Sequence, residues 1–147
     1  MKLSDLYKAS IAASERQFEV RKSDGSLSGH HITLIDPFSE KATKAGFMYG
    51  RALAKRAEDF NEKNKELLAQ CEEAKDFTEF NVNFHSHCQD LHDAYCMEIV
   101  EGWDFDNKFT EKALKEAITG FRYPIIFSLD RQIMSAFEEL SKGRAKK

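Results

Sequence analysis

From residue 39 onward, apolar side chains return every three or four positions, the spacing that lays one face of an α-helix against a core. Ser39 is a good N-cap, and Glu40 puts a carboxylate in the first turn, near the positive end of the helix dipole. Behind them Ala42, Ala45, Tyr49, Leu53, Ala57, Phe60, Leu67, Leu68 and Cys71 form a stripe. It predicts one helix of about 30 residues, roughly 45 Å long, with Asn64 as an interruption. A second stripe, Phe80, Phe84, Cys88, Leu91, Tyr95 and Ile99, predicts a helix over 78–101 that Gly102 ends. Thr110 is placed to cap a short helix through Ile118, closed by Gly120. Pro124 is placed to open a last helix whose apolar face is Ile125, Leu129, Ile133, Met134, Phe137 and Leu140.

The N-terminal part has a different period. Leu3, Leu6, Tyr7 and Ile11 fit a short helix, or a flexible start, over 1–17. Phe18 and Val20 then alternate with charged neighbours, Ser23-Asp24-Gly25-Ser26 supplies turn chemistry, and Ile32, Leu34 and Ile35 run up to Asp36-Pro37. This pattern predicts a β-hairpin over 18–37. Two strands alone are marginally stable in water, so the hairpin must lie on the helices or pair with another chain. The expected fold class is mainly α, a helical domain with a small N-terminal β-hairpin. The whole chain, 1–147, reads as a single domain with a helical body over 38–141 and a basic tail over 142–147.

Composition narrows the function. With 22 basic and 25 acidic residues, net charge −3, the chain lacks the cationic field that coats nucleic-acid phosphates. No apolar run approaches the roughly 20 residues that cross a bilayer, and the start does not read as a signal peptide. Neither a nucleic-acid nor a membrane partner is expected. Cys71, Cys88 and Cys96 are three, so they cannot all pair within one chain, and reduced thiols are the expectation.

Candidate chemistry is sparse. There is no G-x-S-x-G elbow, protease cysteine signature or phosphate-binding glycine loop, so no catalytic residue and no cofactor is expected. Cys88, His92 and Cys96 fall at i, i+4 and i+8, and imidazole and thiolate at that step can share a zinc ion. A single straight helix rarely gathers four ligands, however, and the opposing reading makes the cysteines small core hydrophobes. The Asp104–Asp106 pair in Trp103-Asp104-Phe105-Asp106-Asn107 reads as turn hydrogen bonding, with Trp103, Phe105 and Phe109 organising the loop. Phe121, Tyr123, Ile125, Ile126 and Phe127 crowd around Pro124 on more than one helix face. Either the helix is buried on several sides, or Phe121, Tyr123, Ile126 and Phe127 offer a surface to a partner.

The order of parts resembles a family. Phe18-Glu19-Val20, a glycine turn and Ile32-Thr33-Leu34-Ile35-Asp36-Pro37-Phe38-Ser39 before an alanine-rich helix resemble the opening of the tail assembly chaperones of long-tailed bacteriophages. Glu98-Ile99-Val100-Glu101-Gly102-Trp103-Asp104-Phe105, then Phe109-Thr110-Glu111-Lys112-Ala113-Leu114 and a closing helix, resemble its second half. The likeness covers roughly residues 18 to 141. It implies a non-enzymatic protein that binds the tape measure protein, keeps it soluble and helps recruit tail tube subunits. It also implies a place in the cytoplasm of the infected host, absence from the mature virion, and possible homo-oligomers. A structural tail or virion protein and a helical Cys/His metal-binding protein are the alternatives.

Overall fold

The structure, a computed structural model, describes residues 1–6 and 11–143. Tyr7 of the N-terminal stripe and Arg144, Lys146 and Lys147 of the basic tail lie outside them. The hairpin forms as expected: β1 (Gln17–Arg21) pairs antiparallel with β2 (Leu27–Leu34). At its turn Gly25 adopts φ +86°, a left-handed conformation that glycine takes without a steric penalty. Asp24 accepts hydrogen bonds there from the Ser26 N–H (2.9 Å) and hydroxyl (2.6 Å). The Phe127 ring closes over the turn so tightly that a Cβ on Gly25 would lie 2.7 Å from it.

Helices fill most of the remainder, and two of the predicted ones are divided. The first stripe becomes α1 (Glu40–Lys63) and α2 (Lys65–Ala74), because Asn64 interrupts it. The Asn64 side-chain amide donates to Phe60 O (2.8 Å), a carbonyl its own backbone N–H also uses, which is the competition that keeps Asn out of helix interiors. The second stripe becomes α3 (Thr78–His87) and α4 (Gln89–Ile99). Here Arg56 reaches across from α1 and donates to His87 O (2.7 Å) and to both Asp90 oxygens (2.9 and 3.1 Å). A side chain inserted at a helix carbonyl in this way bends the path.

The expected helix end at Glu101 is corrected too. Val100–Trp103 leave α4 as a strand, β3, which pairs antiparallel with β2 through Ile32↔Trp103, Thr33↔Gly102 and Leu34↔Val100. Gly102 therefore lies within a strand and does not end a helix. The sheet order is β1-β2-β3, so a third strand takes one free edge of the hairpin. The last two helices are α5 (Glu111–Gly120) and α6 (Leu129–Gly143). Pro124 does not open α6: its ψ is 149°, an extended backbone, and a 3-10 turn over Ile125–Phe127 precedes the helix. The N-terminal stripe gives 3-10 turns at Leu3–Leu6 and Ala13–Glu15.

Ser39 and Thr110 act as caps, accepting from Ala42 N–H (3.2 Å) and Ala113 N–H (3.0 Å). The core lies where the sheet meets α4, α5 and α6. Ile32, Leu34, Ile99, Leu114, Ile118 and Ile133 are each at most 1 % exposed. A second apolar cluster sits at the far end of the helices, where the Phe60 ring meets Phe80 (5.1 Å), Phe84 (5.3 Å) and His87 (5.4 Å). The chain is thus mainly α-helical with a small sheet at its N-terminal side.

The two left-handed glycines of the hairpin separate conformation from contact. Gly29 has φ +77° but open space around it, so Gly29→Ala is expected to lose about 1 kcal/mol of unfolding free energy from backbone strain. Gly25→Ala must also displace the Phe127 ring and is expected to lose about 2 kcal/mol or more. Urea unfolding of both variants checks the order, and equal losses would show that the ring moves away freely.

Candidate functional site

The segment between α5 and α6, which includes the 3-10 turn, is short and pinned from three directions. Leu129 N–H donates to Phe121 O (3.0 Å). Arg122 makes a two-pronged ion pair with Asp93 of α4, through Nη1–Oδ1 at 2.8 Å and Nη2–Oδ2, the geometry in which guanidinium and carboxylate match best. Gln89 bridges two carboxylates, donating to Asp93 Oδ1 and Asp130 Oδ2, both at 3.0 Å. Asp130 is buried, and burial works against its charge. Gln89, Ser128 and the Arg122 cation nevertheless hold its carboxyl below the usual range. Asp130 Oδ1 accepts no hydrogen bond and lies 3.9 Å from Arg122 Nη1.

This clamp sorts the apolar residues singled out in the sequence. Phe121 packs against the core and Phe127 covers Gly25. Tyr123 and Ile126 point outward, 75 % and 68 % exposed, with Ile125 at 55 % between them. The sequence cluster is therefore two anchors and an exposed apolar ridge.

The aromatic loop is fastened to the sheet. Trp103 stands edge-on to Phe105 (5.6 Å) and Phe109 (5.0 Å), and its indole N–H donates to Asn107 O (2.7 Å). Phe105 stacks on His30 at 5.2 Å. Asp104 accepts from the His31 backbone N–H (2.6 Å) and lies 3.0 Å from its Nδ1. The backbone bond, followed by the His31 ring and the nearby His30, holds the Asp104 carboxyl below its ordinary range. Trp103, Phe105 and Phe121 also line a cleft of about 560 Å³ between the sheet and α5.

Cys88 and Cys96 are buried at 1 % and 0 % exposure. The Cys96 thiol donates toward Asp130 O (3.6 Å), and burial pushes it far above a normal thiol. His92 packs against Tyr49 (5.8 Å) and His85 (5.1 Å), and burial, aided by His85, makes it harder to protonate. Among the described residues no three His, Cys, Asp or Glu side chains are grouped to hold a metal ion.

Sequence reasoning missed a further surface. A groove of about 660 Å³ runs between α1 and α4, floored by Ala45, Ala52, Leu91, Ala94 and Tyr95 and edged by Met48. Met48 and its neighbour Phe47 are 73 % and 75 % exposed. The signal was present in the chain: both are large apolar residues that fall off the α1 core stripe.

A family model for the phage tail assembly chaperone matches residues 31–147, from within β2 to the end of the chain. No curated protein and no solved structure matches. Among the described residues, no helix is long and apolar enough to cross a membrane.

Two outcomes follow from the charged contacts. Arg122→Met leaves Asp93 and Asp130 facing one another without their cation, and should cost about 2 kcal/mol, read as a melting temperature about 5 °C lower. Asp104 has a depressed folded-state pKa, so its contribution is present above the unfolded value of about 3.9 and is lost as pH falls through the folded value. Asp104→Asn should therefore melt below the parent at pH 7, and the gap should narrow as the pH falls below about 3.9. A gap that is constant with pH would assign the loss to packing.

Proposed function

The chain belongs to the phage tail assembly chaperone family, and from that membership we propose that it binds the tape measure protein, keeps it soluble and helps recruit tail tube subunits. In this reading it acts without turnover, in the cytoplasm of the infected host, and does not remain in the mature virion. The observation that carries the reading is the exposed ridge of Tyr123, Ile125 and Ile126, three large apolar side chains in one short segment. A client rich in amphipathic helices offers apolar stripes that need cover before they meet the tube, and a ridge of this kind supplies it.

The clamp matters to this role. Arg122, Phe121 and Phe127 hold the backbone of the ridge before any client arrives, so little ordering entropy is lost on binding. Many weak copies along an extended client then add up through multivalency. We assign Tyr123 and Ile126 to client contact and Phe121 and Phe127 to holding the ridge in place. Trp103, Phe105 and Phe109 keep the neighbouring loop in shape.

Co-expression with the tape measure protein of the same phage tests the assignment. The parent chain should keep the tape measure in the soluble fraction and co-purify with it. The double variant Tyr123→Glu/Ile126→Glu should retain about tenfold less, with helix content and melting close to the parent. Phe127→Asp should instead destabilise the fold, because it opens the hairpin turn. No co-purification with the parent chain, or full retention by the double variant, counts against the reading.

A further inference from the structure

The cleft between α5 and the sheet is apolar inside and charged at one end. Val20, Ile32 and Leu129, all buried, contribute to its lining together with the half-buried rings of Trp103, Phe105 and Phe121. Its volume of about 560 Å³ is that of a site able to hold large side chains of a partner. On the helix side the lining runs from Ala113, early in α5, to Gly120 at its end, and these positions lie about 10 Å apart along the helix axis. They put only a methyl group and a hydrogen there, so this wall is low. Beyond Ala113 lies the aromatic loop, tied by the Trp103 indole to Asn107 O. Beyond Gly120 three elements converge. Leu129 N–H of α6 donates to Phe121 O, and the Gln132 amide of α6 accepts from Arg21 N–H (2.8 Å) and donates to Arg21 O (3.1 Å) at the end of β1. That convergence brings the exposed Arg21 and Lys22 to the Gly120 end of the cleft. Among the described residues the lining holds these two cations and one carboxylate, Glu116, so this end favours an anion.

We propose that the cleft selects which client helices the chain holds: those with two large apolar side chains one turn apart and a carboxylate one turn further on. The inference rests on the proposed function and specifies the chemistry of the client that it requires. At about 5.4 Å per turn, a cleft about 10 Å long admits two apolar side chains of an amphipathic helix, and the next position on the same face falls over Arg21 and Lys22. Aromatic walls suit such an occupant, because rings offer large contact area with few rotamers to freeze. The same helix face read against the cations explains why an uncharged stripe would be held less well: the apolar pair fills the cleft, and the carboxylate fixes direction and register. The ridge begins just beyond Phe121, so a helix that leaves the cleft at its cationic end continues onto Tyr123 and Ile126.

Trp103 is the chain's single tryptophan and lines the cleft, so its fluorescence reports occupancy. Overlapping peptides of about 20 residues that cover the tape measure protein of the same phage, with any tryptophan replaced by phenylalanine, are titrated into the purified full chain. Peptides with the apolar, apolar, acidic spacing should shift Trp103 emission to the blue. Replacing the acid of a responding peptide by lysine should weaken binding about tenfold, and Lys22→Glu should recover that loss for the lysine peptide while weakening the original. Ala113→Phe, which fills the cleft from the helix side, should abolish the shift with helix content unchanged. A parent chain that keeps the tape measure soluble while no peptide moves Trp103 overturns the inference and leaves the proposed function standing. Peptides that move Trp103 in a chain that does not retain the tape measure overturn the function and support the cleft. Responses indifferent to Ala113→Phe, or a charge swap that recovers nothing, overturn the inference. So does an emission shift on raising the concentration of the chain alone, which would give the cleft to a second copy.

Discussion

The rest of the fold depends on the pairing of Val100–Trp103 with β2. A two-stranded hairpin has too little apolar face to stand in water. The third strand covers one edge of that hairpin and, because it follows α4 without a break, delivers the helix directly onto the sheet. Ile99, the last residue of α4, and Ile32, central in β2, both become fully buried, and Ile35 N–H donates to Ile99 O at 2.9 Å. Arg16 reinforces the same junction, donating to Ile11 O (2.8 Å) and Leu34 O (2.5 Å) while pairing with Glu101. The aromatic loop inherits its position from this strand, since Trp103 ends β3 and Asp104 continues the bonding to His31.

Much of this was legible in the chain, for identifiable reasons. Caps are local: Ser39 and Thr110 could be read because a hydroxyl before an apolar-periodic run has one strong use. The hairpin could be read because Ser23-Asp24-Gly25-Ser26 separates two alternating runs. The third strand could not, because Ile99 and Val100 satisfy a helical stripe as well as a strand, and only the vacant edge of β2 decides between them. That edge is a tertiary fact, and tertiary context overrides local propensity. The bend at Cys88 was hidden likewise, since its cause is Arg56, distant in sequence. Asn64 was visible as an interruption because its competing amide is its own.

The apolar cluster around Pro124 shows the same limit at the level of the site. Composition revealed that five large side chains could not all face one way, but not which would turn inward. The sorting comes from Arg122, whose pairing with Asp93 of α4 fixes the direction of the backbone and so the alternation of its neighbours. Phe121 then falls on the core side, Tyr123 on the solvent side, and the 3-10 turn sends Ile125 and Ile126 outward while returning Phe127 to Gly25. A polar contact thus decides where apolar groups are displayed.

That arrangement has an energetic consequence. An exposed apolar side chain on a loose loop gains little from a partner, because ordering its backbone costs about 1 to 2 kcal/mol per residue, comparable with the roughly 1.5 to 3 kcal/mol obtained by burying a large apolar side chain. On a segment already ordered by an ion pair, a backbone bond and two ring anchors, most of the burial term remains available for association. Phe47 and Met48 enjoy the same advantage, since α1 is held to α4 by Arg56 and by the stacked rings of Tyr49 and Tyr95, 4.6 Å apart. Both displayed surfaces are therefore backed by rigid contacts on their inner side, which is the condition under which a small exposed area can hold a partner.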